Sequence, residues 1–143
     1  ENHAGVELHG FLSYLFKSSY YQNKYFIYGY KGKQVRDNLS SYDVSTIIYE
    51  LYKNPPKPGE VFNIGGGRDS NISILEAIEK CQNLTKKKFN YKYINKARSG
   101  DHKFWISDMS KFKKYYPRWK LKYNIDDILS HMLDYENFKT FRS

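Results

Sequence analysis

Arginine is scarce in this chain, 5 residues against 19 lysines, and two of the five stand where a guanidinium could do chemistry. Arg36 lies in Gly29-Tyr-Lys-Gly-Lys-Gln-Val-Arg-Asp37, just past a short aromatic stretch and a glycine turn. Arg98 opens Arg98-Ser-Gly-Asp101, a loop ahead of an expected helix. A guanidinium presents a planar fork of donors matched to phosphate oxygens, so two forks on opposite loops can grip a diphosphate. Taken singly, each is equally a solvated surface residue, and only a shared pattern or a shared place in the fold raises it above that.

Other patterns carry less. Gly65-Gly66-Gly67 lies between an expected strand and an expected helix, where bare backbone approaches a pyrophosphate in dinucleotide-binding folds. That fingerprint needs a third glycine three residues after the second, where Asp69 or Ser70 stands, so a plain strand-to-helix turn is the expectation. Four Tyr-x-x-x-Lys pairs occur, Tyr20/Lys24, Tyr49/Lys53, Tyr116/Lys120 and Tyr135/Lys139. A lysine one turn away can lower a phenol's pKa toward neutrality, but in a chain this rich in both residues the pairs arise by chance, and none is a catalytic candidate. Lys86-Lys-Lys-Phe-Asn-Tyr-Lys-Tyr93 mixes charge and rings as a nucleic-acid surface does, yet it reads equally as an edge strand whose lysines discourage pairing. The excess of lysine over arginine counts against nucleic acid as the partner. Cys81, the single cysteine, falls on the apolar stripe of an expected helix and is expected to be inert core.

The elements that must position these residues follow from periodicity. Val6, Leu8, Phe11, Leu12, Leu15 and Phe16 predict a helix ending near Ser18, and Tyr25-Phe-Ile-Tyr28 predicts a strand. Ser41 is the expected cap of a helix burying Val44, Ile47, Ile48 and Leu51, stopped at Asn54-Pro-Pro-Lys-Pro-Gly59. Val61-Phe-Asn-Ile64 reads as a buried strand. Ser73 with Glu76 forms a capping box ahead of Ile74, Leu75, Ile78 and Cys81. Phe89, Tyr91 and Tyr93 alternate along a half-exposed strand, Ser107 starts a short helix that Pro117 ends, and Asn124 with Asp127 caps a last helix. That helix is expected to bury Ile125, Ile128, Leu129, Met132 and Leu133, with a loose tail from Asn137. Helices and strands interleave without repeats, so the fold class is α/β in one domain.

Bulk composition narrows the function classes. The 143 residues carry 24 Lys+Arg against 15 Asp+Glu, a formal charge of +9. No apolar run approaches the ~20 residues that cross a bilayer, and no paired Cys or clustered His spacing suggests a metal site. A cytoplasmic location is the default expectation for such a chain. The hydrophobic share of 40% includes 15 tyrosines. Either rings fill much of the core, or apolar surface is shared with another body. The chain lacks an initiator Met, as is expected of a fragment, a processed product or a trimmed chain.

Four segments, Gly5-Val-Glu-Leu-His-Gly-Phe-Leu-Ser-Tyr-Leu15, Tyr28 to Asn38, Phe62-Asn-Ile-Gly-Gly-Gly-Arg68 and Arg98-Ser-Gly-Asp-His102, occur in the order and spacing of the C-terminal part of the extended short-chain dehydrogenase family. Within that family the chain resembles the CDP-paratose 2-epimerases, also called CDP-tyvelose epimerases. The resemblance implies a Rossmann-type fold in which residues 1–143 form the nucleotide-sugar-binding C-terminal portion, the N-terminal NAD-binding domain lying outside this chain. It further implies that Arg36 and Arg98 bind the diphosphate or its ribose and that Asp101 accepts from a ribose hydroxyl. Tyr28 would pack beside the pyrimidine, and Glu7 and Leu8 would touch the nucleotide. Ser40 stands where many relatives carry His, which leaves the local substrate contacts open.

The parent enzyme would take a CDP- or UDP-sugar and move a hydride from C2 of the sugar to NAD and back to the opposite face. The family's cofactor fingerprint and catalytic set have no counterpart in this sequence, so the chain alone is expected to be inactive and to hold no NAD. It is expected to form a homo-oligomer or to pack against the N-terminal domain. Another NAD-dependent nucleotide-sugar epimerase or a dehydratase of the same family, and a basic nucleic-acid-binding module, are the alternatives.

Overall fold

The computed structural model of the chain describes residues 10–142. Five helices and five short strands are interleaved along these residues. In chain order they are α1 (Phe11–Tyr20), β1 (Tyr25–Tyr28), β2 (Val35–Asp37), α2 (Ser41–Lys53), β3 (Asn71–Ser73), α3 (Ile74–Thr85), β4 (Tyr91–Ile94), β5 (Phe104–Trp105), α4 (Ser110–Tyr115) and α5 (Ile125–Arg142). A single 3-10 turn, Tyr30–Gly32, joins β1 to β2. The strands form two small sheets. β1 runs parallel to β4, pairing Tyr25 with Tyr91 and Tyr28 with Ile94. β2 is the middle strand of the other sheet, antiparallel to β3 and parallel to β5.

Two apolar clusters hold these layers. Leu12, Leu15 and Phe16 of α1, Ile27 of β1, Ala77, Ile78 and Cys81 of α3 and Leu129 of α5 meet in the larger one. Burial pushes the Cys81 thiol up to about 12, as expected for inert core. The second cluster, Ile47, Met109, Phe112, Tyr116 and Trp119, is mostly aromatic and packs α2 against α4. Its polar edges are satisfied, since Trp119 Nε1 donates to Thr46 Oγ1 at 3.0 Å and Tyr116 Oη to the Asn54 carbonyl at 2.8 Å. Beside this cluster the fully buried Asp43 carboxylate accepts from the backbone N–H of Lys122 and Tyr123, which pins the chain entering α5 to α2.

Where the sequence carries explicit caps, the boundaries follow them. Ser73 accepts from Glu76 N while Glu76 accepts from Ser73 N, a complete capping box for α3. Asn124 Oδ1 accepts from Asp126 N and Asp127 N, and Asp127 Oδ2 accepts from Asn124 N, fixing the start of α5. Elsewhere the structure corrects the reading. The cap of α2 is Ser40, whose hydroxyl accepts from Asp43 N, because Ser41 already has helical geometry. Ser107 does not start α4, which begins at Ser110, because the Ser107 backbone N–H is drawn to Asp37 Oδ2 at 3.0 Å.

Three further expectations change. α1 continues two residues past Ser18 to Tyr20, and its expected beginning at Val6 and Leu8 lies outside the described residues. The tail from Asn137 is helix through Arg142 rather than loose. It is tethered by Tyr20 Oη to Asn137 and by Tyr21 Oη to the buried Glu136, a bond that pushes the Tyr21 phenol up to about 12. Finally, Val61-Phe-Asn-Ile64 is not a buried strand. It runs without a ladder partner, and Val61 is 75% exposed. The expected buried face of α2 is only half covered: Ile47 and Leu51 pack into the second cluster, whereas Ile48 is 60% exposed and Val44 is also exposed.

The capping box also sets a pH dependence. The Ser73 hydroxyl and backbone N–H, both donating to Glu76, hold its carboxyl below the ordinary 4.5. That contribution is present above 4.5 and is lost as pH falls through the lower folded value. Ser73→Ala should therefore cost about 1 kcal/mol in neutral chemical denaturation. The gap between variant and parent should narrow in acid, and a gap that stays constant to pH 3 would contradict the assignment.

Candidate functional site

A concavity of about 330 Å³ opens where the first sheet meets the second, lined by Gly10, Phe11, Tyr14, Tyr25, Phe26, Tyr28, Gln34, Arg36, Ile74, Arg98 and Asp101. Of the six residues singled out in the sequence, Tyr28, Arg36, Arg98 and Asp101 all lie on this wall. Glu7 and Leu8 lie outside the described residues.

Each side chain reaches the site from a short element that its neighbours hold. Tyr28 ends β1, and its carbonyl accepts from the buried Gln34 Nε2 at 3.0 Å. Arg36 is the central residue of β2, the middle strand of the sheet, which fixes its Cα from both sides. Arg98 and Asp101 belong to one tight loop, closed by the Asp101 N–H donating to the Arg98 carbonyl at 3.2 Å and turned at Gly100, whose φ is 74°.

The cationic groups are held, not splayed. The Arg36 guanidinium donates Nη1 to the Val35 carbonyl at 2.8 Å and pairs through Nη2 with Asp101 Oδ1. The Arg98 guanidinium lies over the Tyr28 ring, 4.2 Å from its centroid. The wall therefore offers two guanidinium groups against one carboxylate, with aromatic faces from Phe11, Tyr14 and Tyr28 beside them. Such a surface suits an anionic ligand with an aromatic or sugar body. The Gln34 side-chain oxygen Oε1, buried in the same wall, has no partner among the described residues. A buried acceptor of this kind is normally matched by water or by a ligand donor.

The triple glycine behaves as a packing device. A Cβ on Gly65 would fall 2.2 Å from Ser107 Oγ, and one on Gly66 only 2.1 Å from the Asn38 carbonyl oxygen. Asp37 Oδ2 accepts from Gly67 N at 2.9 Å and from Ser107 N. The turn is filled by protein atoms, so these glycines leave no cradle for a dinucleotide pyrophosphate and do not fit NAD. They brace β2 immediately beside Arg36. Sequence reasoning passed over Asp37 and Gln34, although both adjoin Arg36 in one segment, because a single Asp or Gln carries no spacing of its own. Among the described residues no group of three or more His, Cys, Asp or Glu is placed to hold a metal ion.

No protein-family model matches the chain. It is 28% identical over 115 residues to the CDP-paratose 2-epimerase of Salmonella typhi, covering 79% of this chain and 33% of that protein. Among solved structures it superposes on MoeE5, in complex with UDP-glucuronic acid and NAD, with a TM-score of 0.81 at 21% identity, covering 94% of this chain and 44% of that one. It also matches the UDP-glucuronic acid 4-epimerase of Bacillus cereus, in complex with UDP-glucuronic acid and NAD, with a TM-score of 0.73 at 25% identity, over 85% of this chain and 37% of that one. The fold is thus the α/β, Rossmann-type architecture of extended short-chain dehydrogenase enzymes, as the sequence resemblance implied. Within that comparison the chain resembles NAD-dependent nucleotide-sugar epimerases and dehydratases, CDP-paratose 2-epimerase among them. It spans about a third of the length of that curated relative. No helix among the described residues is long and apolar enough to cross a membrane.

The packing role of the glycines has a direct consequence. Because backbone oxygens of Asn38 and Ser70 stand within 2.5 Å of a Cβ at Gly66, neither can swing aside. Gly66→Ala should lower stability by about 2 kcal/mol or more. A variant as stable as the parent in urea would show that the turn is slack.

Proposed function

We propose that this chain is the nucleotide-sugar-holding portion of an NAD-dependent nucleotide-sugar epimerase, with a pyrimidine nucleoside diphosphate sugar as its ligand. The observation that carries the reading is the convergence of Arg36, Arg98, Asp101 and Tyr28 on one concavity from strands and loops far apart along the chain. The two guanidinium groups bind the diphosphate, Asp101 accepts from a ribose hydroxyl, and the Tyr28 side of the wall packs against the base. The sequence likeness to CDP-paratose 2-epimerase favours a CDP-sugar and inversion at C2, while the solved relatives carry UDP-sugars. In such an enzyme the hydride chemistry belongs to the bound cofactor, and this chain's residues bind and orient the sugar.

NAD would then be held by a separate domain, which the open surface favours. Val44, Ile48, Tyr49, Tyr52 and Val61 are exposed apolar or aromatic residues along α2 and the unpaired 61–64 segment. An apolar face of this kind, next to backbone without ladder partners, is a docking face for a sheet edge. By itself the chain should cover it by self-association, seen as a concentration-dependent sedimentation coefficient that Ile48→Asp with Val61→Asp abolishes. A parent monomer at tens of micromolar would contradict this.

CDP or UDP should raise the melting temperature of the chain, by mass action on the folded state. Arg36→Ala and Arg98→Ala should each weaken CDP binding by about ten- to a hundredfold, the worth of a charge-assisted hydrogen bond. If both variants respond to CDP and UDP like the parent, the site is wrongly assigned. If binding instead tracks duplex or single-stranded nucleic acid and collapses steeply with salt, the basic-module reading replaces it.

A further inference from the structure

The turn between β1 and β2 is strained in a way its sequence did not require. Tyr30 and Lys31, neither of them glycine, both adopt left-handed backbone, with φ of 46° and 54°. Two successive non-glycine residues there persist only where surrounding contacts over-determine them, and such strain collects at ligand sites. The contacts are visible. Gly29 N donates to the Ile94 carbonyl and Gly32 N to the Gly29 carbonyl, while Lys31 N donates to Tyr93 Oη at 3.2 Å, fastening the turn to β4. The result is that the Tyr30 side chain crosses to the 98–101 loop, where its hydroxyl donates to the Asp101 carbonyl at 3.2 Å.

The same loop is gripped by the turn in two more ways. Gly29 lies so close to Ala97 that a Cβ would come within 2.7 Å of the Ala97 Cα. Arg98 stacks on Tyr28, the residue just before Gly29. Tyr30 does not line the concavity, so it would act through Arg98 and Asp101 and not on a ligand directly.

We propose that Tyr30 is a positioning residue of the nucleotide site. Its hydroxyl, aimed by the strained Tyr30-Lys31 turn, holds the 98–101 loop so that Arg98 and Asp101 face the same ligand as Arg36. This rests on the reading of the concavity as a nucleoside diphosphate site. It assigns to the turn a task beyond chain reversal, namely pre-paying the ordering of a loop that would otherwise be ordered on binding.

Calorimetric titration of the full 143-residue chain with CDP tests it, comparing the parent with Tyr30→Phe, Gly29→Ala and Arg98→Ala. Tyr30→Phe removes one hydroxyl and keeps the ring. It should weaken CDP binding by about three- to tenfold, the worth of a neutral hydrogen bond, and lower the ligand-free melting temperature by no more than about 5 °C, the same bond being lost from the free fold. Gly29→Ala presses on the loop from its other side and should weaken CDP in the same direction. A Tyr30→Phe chain that binds CDP like the parent, that loses melting temperature without losing affinity, or that fails to fold overturns the proposal. If Arg98→Ala weakens CDP while Tyr30→Phe does not, only the role of Tyr30 falls. If the parent binds neither CDP nor UDP, the nucleotide reading falls with it.

Discussion

The site hangs on one ion pair. Arg36 and Asp101 are 65 residues apart in the chain, and their contact is what brings the middle strand of the second sheet and the 98–101 loop to the same wall. Both side chains are about a fifth exposed, so the pair is neither a fully solvated contact of negligible worth nor a buried one that must recover a full desolvation cost. It has the properties of a latch: held without ligand, yet reachable by an anion that competes for the guanidinium. Everything behind it serves to keep Arg36 still. β3 and β5 flank its strand, and Asp37 ties that strand to the glycine turn and to Ser107. The glycines are there because the strand and the turn approach more closely than any Cβ allows.

Seen from this latch, the two cores have different tasks. The larger one packs α1, α3 and α5 behind β1, and so carries Tyr28 and the floor of the concavity. The smaller aromatic one packs α2 on α4, away from the site, beneath the face whose apolar residues stay open. One side of the fold thus carries the concavity and the other an exposed apolar surface. The chain covers less than half the length of each relative it was compared with.

What was legible in the sequence was whatever is enforced locally. The capping residues Ser73 with Glu76 and Asn124 with Asp127 announce α3 and α5 because a side chain bonding its own helix terminus needs no tertiary context. Arg36 and Arg98 stood out because arginine is rare here, the one just past a glycine turn and the other in a loop ahead of an expected helix. The rest depended on partners. Val61 to Ile64 has the pattern of a buried strand, but pattern reports only what a segment is suited to pack against: among the described residues no strand pairs with it, and Phe62 packs into the smaller cluster while Val61 stays exposed. The strands β2, β3 and β5, of two or three residues each, are too short to show alternation and exist only through their register with one another. The strained Tyr30-Lys31 turn was invisible for a similar reason, since its φ values go against what either residue type prefers alone.

The most direct test of the shared site is a CDP titration of the isotope-labelled chain followed by amide chemical shifts. The account predicts saturable shifts at Tyr28, Arg36, Arg98 and Asp101 moving together with one dissociation constant, while the Lys86–Tyr93 stretch and the exposed face of α2 remain still. Shifts confined to that basic stretch, or Arg36 and Arg98 responding with different constants, would contradict a single diphosphate held between the two guanidinium groups.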